Sequence, residues 1–159
     1  MKTKMFILVA AACGAFLLGG GVVLAGPPIG FTATIISDGK IAKATEINAN
    51  GIKFSSHENA RVLVQTGDFV PGGTSGWHTH PGLTVVTVTD GSVVNYVACH
   101  EGVIYTKGQS FVEPPNTPGD VDNTSGTVAA HVMATLIVPN GMAPRTNVDA
   151  PNCTHHGDA

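Results

Sequence analysis

The chain has 159 residues, 43% hydrophobic and 12% charged, which suits one folded domain around a single hydrophobic core and excludes a disordered chain. With 20 Gly and 10 Pro it is punctuated too often for long helices and suits short strands joined by turns. Setting residues 1–25 aside leaves 6 basic against 11 acidic side chains, a formal charge of −5, and nucleic acid is not an expected partner.

Lys2 and Lys4 precede an apolar run over residues 5–18, then Gly19-Gly20-Gly21 and Val22-Val23-Leu24-Ala25. This pattern predicts a signal peptide over residues 1–25, cleaved after Ala25, and a secreted or periplasmic destination. The rival reading is an uncleaved anchor. Three consecutive glycines weaken a spanning helix there, so no stable membrane anchor is expected after cleavage. Cys13 leaves with the signal, and Cys99 and Cys153 remain. In an oxidising compartment they are expected to pair, closing a loop of roughly 50 residues. The alternative is two free or metal-binding thiols, although their spacing resembles no zinc motif.

Residues 26–56 read as an N-terminal extended segment holding an outer strand at 31–36, which turns at Ser37-Asp38-Gly39-Lys40. Residues 57–140 read as the barrel. Its first strand is 61–65, followed by a glycine-rich loop, 71–76, ahead of Trp77-His78-Thr79-His80. The β-branched run 84–89 ends in Asp90-Gly91, which predicts a hairpin with 92–98 as the partner strand. A strand at 108–113 is stopped by Pro114-Pro115, Asn123-Thr124-Ser125-Gly126 predicts another hairpin turn, and 128–138 is a long apolar strand. Residues 141–159 read as a loosely packed C-terminal tail, with His155 and His156 at its polar end.

Gly72, five residues, His78-Thr79-His80, three residues, Thr84, six residues and Gly91 reproduce the spacing of the first cupin motif. Gly108, five residues, Pro114, Asn116, two residues, Gly119, three residues and Asn123 reproduce the second. Over residues 57–140 the chain therefore resembles the cupin superfamily, and the runs at 77–82 and 111–114 resemble exported bacterial single-domain cupins. The resemblance implies an all-β double-stranded β-helix, a cupin or jelly-roll barrel. It also implies a divalent transition metal (Fe, Mn, Zn or Ni) held by two histidines and a glutamate from the first motif and a histidine from the second. Here the glutamate position is Thr84, the second-motif histidine position is Gly119, and Asn116 replaces a glycine, which asparagine can do by tolerating left-handed backbone.

Residues two apart on a strand project to one face, so His78 and His80 can aim both imidazoles at one point. Two imidazoles alone make a weak metal site, and a third ligand is sought among Glu113, ranked first, Asp120 and His131. Thr84 lies in phase with Val86 and Val88, on the face expected to point inward. Trp77, Thr84 and His131 are the expected pocket residues; each has a bland alternative as a packing or surface side chain, and no catalytic residue is assigned. His100 reads as solvent-exposed.

Three functions fit. The first is an exported small-molecule-binding barrel with weak or no metal at the His-x-His pair. The second is a metal-dependent cupin enzyme of dioxygenase or isomerase type, using His78, His80 and a substitute carboxylate. The third is a barrel kept for its surface, as a homodimer through residues 31–36.

Overall fold

The computed structural model describes residues 26–153. The expected signal segment, Cys13, His155 and His156 lie outside them. The described residues form twelve strands and no helix. In chain order the first six are β1 (Ile29–Lys40), β2 (Thr45–Ala49), β3 (Ile52–Ser56), β4 (Arg61–Thr74), β5 (His78–Thr79) and β6 (Leu83–Asp90). They are followed by β7 (Ser92–Val97), β8 (Val103–Thr106), β9 (Ser110–Glu113), β10 (Gly119–Asp122), β11 (Ala130–Val138) and β12 (Thr146–Asn147).

One antiparallel layer runs β1-β4-β11-β6-β9 and the other β12-β5-β10-β7-β8; they join where Thr74 of β4 pairs with Asp122 of β10. The result is a nearly closed antiparallel barrel, with β2 and β3 as a separate hairpin. Among the described residues no helix is long and apolar enough to cross a membrane.

Alternation sets the core. Along β6, Thr84, Val86 and Val88 are buried while Val85 and Thr87 between them are not; along β11, Ala130, Val132, Ala134, Leu136 and Val138 are buried. With Leu63, Phe69, Val93 and Phe111 they fill the space between the layers. Burying a side chain of this size contributes about 1.5–3 kcal/mol, so the inward row of each strand fixes its register.

The structure corrects three expectations. Asp90-Gly91 does turn the chain, but β6 and β7 are not hairpin partners: β6 pairs with β9 and β11, and β7 with β8 and β10. Gly91 passes the chain from one layer to the other at φ 70°, where an added Cβ would meet the Ala129 carbonyl oxygen at 2.5 Å. The bend at Asn123 is likewise a crossing, since β10 and β11 lie in opposite layers. Asn123 is 1% exposed, and its amide donates to the carbonyls of Val70 and Val128. Finally, residues 142–153 are not loose. β12 pairs with β5, the Val148 amide donates to the Trp77 carbonyl, and Cys153 is joined to Cys99 by a disulfide. The tail is a strap laid over the barrel mouth.

Candidate metal and ligand site

His78 begins β5, His80 follows two residues later, and Glu113 ends β9 in the opposite layer. Gly76, at φ 68°, makes the turn into β5 against Gly26 and Pro27, leaving no room for a Cβ. On the other side the His80 carbonyl accepts the Asn116 amide at 2.7 Å, with Asn116 at φ 55°. Asparagine thus occupies the left-handed position its motif requires, and the turn it makes ties Glu113 to the histidine pair.

Each imidazole is oriented through its outer nitrogen. His78 Nδ1 lies 2.8 Å from the Gly76 carbonyl oxygen and His80 Nδ1 lies 2.6 Å from that of Pro144. A carbonyl can only accept, so both Nδ1 atoms carry the proton, and in the neutral rings both Nε2 atoms present lone pairs. These lone pairs converge. His78 Nε2 and His80 Nε2 are 3.1 Å apart, and Glu113 oxygens lie 3.8 Å from the first and 3.1 Å from the second. All three side chains are buried, and their ligand atoms lie within 4.8 Å of one another.

Three acceptors gathered in a dry pocket repel one another unless a positive charge sits among them, either a proton or a metal ion. Burial pushes His78 down to about 4, against the opposing pull of Glu113, so it is neutral at pH 7. Burial would raise the Glu113 carboxyl, but its hydrogen bond with His80 and the electrostatic pull of His78, His80 and Arg145 outweigh it and hold it below the usual range. Two imidazoles, each braced at Nδ1 by a backbone carbonyl, and one carboxylate fit a divalent transition metal. The buried Thr84 Oγ1 and Arg145 Nε have no hydrogen-bond partner, as expected of groups facing an absent ligand.

The three ligand candidates, Thr84 and Arg145 share one cavity of about 80 Å³, whose remaining wall is largely apolar and includes Phe31, Phe69, Val86, Val121 and Leu136. The sequence reading did not single out Arg145 or Pro144, both on the strap. Arg145 is one of two arginines in the chain, and it stands eight residues before the cysteine expected to return to the barrel. That expected bridge was the available signal.

Other candidates fall elsewhere. His131 is not in the pocket: it alternates with the buried Ala130 and Val132, so it faces outward, where it lies 2.7 Å from Asp68. Trp77 is half-buried and does not line the cavity. Asp120 is engaged by the hydroxyls of Thr74 and Ser75 and is not part of the ligand cluster. His100 is exposed.

The fold and the inward-facing pair of histidines define a cupin-type barrel. Residues 65–136 match the cupin domain family, so this stretch of the chain is a cupin domain. It is similar to a solved cupin-like protein from Thermotoga maritima, at 18% identity and TM-score 0.54, over 76% of this chain and 80% of that one. It is also similar to an uncharacterized protein with a double-stranded β-helix domain from Klebsiella pneumoniae, at 15% identity and TM-score 0.53, over 78% and 86%. Some matched proteins are much longer. An oxalate oxidase solved with the substrate analogue glycolate matches at 22% identity and TM-score 0.48 over 55% of this chain, which spans only 46% of its length; that likeness carries no argument about activity. No curated protein matches the chain.

Proposed function

We propose that this chain is an exported cupin that holds a divalent transition metal (Fe, Mn, Zn or Ni) through His78, His80 and Glu113 and presents it to a small molecule in the barrel cavity. The observation that carries the reading is the convergence of two proton-free Nε2 atoms and one carboxylate in a buried site. Two histidines and one carboxylate leave coordination positions open, and a bound metal supplies Lewis-acid or redox chemistry there. The residues of the chain supply the rest: the Gly76 and Pro144 carbonyls fix the imidazoles, and the apolar wall excludes water. Dioxygenase and isomerase chemistry both suit such a site. The Cys99–Cys153 disulfide supports a secreted or periplasmic location.

A metal-free binding barrel is the second reading, favoured by the 3.1 Å contact between His80 Nε2 and Glu113, which a proton on His80 would also satisfy. Metal analysis of tag-free protein by mass spectrometry separates the two, with His155 and His156 replaced by alanine to remove adventitious capture. Near-stoichiometric metal, lost in both His78→Ala and Glu113→Gln, is the expected result. Protein that stays metal-free after supplementation with each ion rejects the metal reading.

A further inference from the structure

We infer that Arg145 makes this cavity a site for a small organic monocarboxylate, a ligand whose acid group pairs with the guanidinium while a short apolar chain lies against the barrel wall. The inference deepens the proposed function and rests on it for its charge balance.

Arg145 reaches the cavity from the strap. Its Nη2 donates to the carbonyls of Ser75 and Gly76, which fixes the plane of the guanidinium. Its Nε is buried without a partner, and the side chain lines the same cavity as His78, His80 and Glu113. With Nη2 held by the two carbonyls, the unpaired Nε–H is the donor left to meet an oxyanion, by one charge-assisted hydrogen bond.

Formal charge points the same way. Glu113 and Asp120 contribute two negative charges and Arg145 one positive; a divalent ion brings the enclosed total to +1. A buried charge of that size calls for a counter-charge, and one monoanion supplies it. Shape then narrows the class. A cavity of about 80 Å³ is only a few times the roughly 30 Å³ that a water takes in the liquid, which favours a ligand of a few heavy atoms. Beyond the ligand cluster most of the wall is apolar, including Phe31, Phe69 and Leu136, with Gln65, Ser75 and Thr84 as its polar side chains. A small acid with a short apolar chain suits this volume and this wall.

The test is calorimetric titration of the full-length metal-loaded protein with acetate, propionate and butyrate, each beside its amide. The acids are expected to bind and the amides not, a comparison that needs no variant. Arg145→Gln is expected to weaken acid binding about 10- to 100-fold, the usual worth of a hydrogen bond to a charged group, while its metal content stays that of the wild type. Arg145→Lys, which keeps the charge without the Nε–H donor, is expected to recover part of the loss. Acids and amides binding alike, acid binding unchanged in Arg145→Gln, or no binding of any acid at millimolar concentration would overturn the inference. Arg145-dependent acid binding to a wild type that takes up no metal on supplementation would reject the metal reading and the charge balance drawn from it, while keeping Arg145 as the partner of the acid.

Discussion

Thr84 and Glu113 stand directly opposite one another in the ladder between β6 and β9. In the first cupin motif the position of Thr84 belongs to a glutamate. Here the carboxylate comes instead from the residue across the ladder, and side chains of directly opposed residues lie about 5 Å apart at Cβ. The carboxylate of this site stands on a different strand from the one the motif uses.

This relationship predicts a rescue. Glu113→Thr should lose metal, and Thr84→Glu/Glu113→Thr should recover it to within about tenfold, or ~1.4 kcal/mol, of the wild-type affinity. Competition with a chromophoric chelator measures both. A double variant as empty as the single one would mean that the two positions do not serve one site.

The metal-free protein should lose stability on acidification in a defined window. His78 is depressed to about 4 in the fold from an ordinary value of 6.5, so the unfolded state binds more protons between these limits. Stability is then full above about pH 6.5 and falls as pH drops toward 4, by about 3 kcal/mol from this one group. The groups acting on it are Glu113, Arg145 and His80. Asp38, held low by Arg61, loses its contribution only at lower pH. Urea unfolding at several pH values should give a steeper slope for wild type than for His78→Gln, and equal slopes would contradict the neutral buried state.

Two glycines should separate close approach from backbone conformation. At Gly91, alanine meets both a left-handed backbone and the Ala129 carbonyl oxygen 2.5 Å away; at Gly108, φ is 86° and nothing lies within 4 Å. Gly108→Ala is expected to cost about 1–2 kcal/mol from conformation alone, and Gly91→Ala clearly more. Thermal melts rank them, and equal losses would show that the layer crossing at Gly91 tolerates a side chain.

Cys153→Ser should remove about 4 kcal/mol, the chain-entropy estimate for a closed loop with a separation of 54 residues. It should also weaken metal binding, because Pro144, whose carbonyl orients His80, belongs to the strap that the disulfide ends. A variant with wild-type affinity for metal would show that β12 alone holds the strap.

Local patterns were legible and partners were not. The phase of Thr84 with Val86 and Val88 gave the buried face of β6, and Asn116 took the left-handed backbone expected of it. Alternation says that a segment is extended and which side chains share a face, but not which strand lies alongside. Asp90-Gly91 carries the turn chemistry of a hairpin whether the chain returns or crosses to the other layer, and only packing decides. The Asn50-Gly51 hairpin between β2 and β3 did carry a strong signal, with both residues at positive φ, and the reading passed over it. His131 failed because inward and outward rows of an apolar strand differ by one residue. Arg145 was hidden because a short stretch with no periodicity gives no sign that it will be folded back over the barrel.

The strap also links the site to redox state. Pro144, which orients His80, and Arg145, which lines the cavity, both lie on the segment that the Cys99–Cys153 bond ties down, and that bond is one an oxidising environment favours. Reducing it is expected to loosen the barrel mouth while the packed layers stay folded, so a single covalent bond couples the finished geometry of the pocket to the redox state around it.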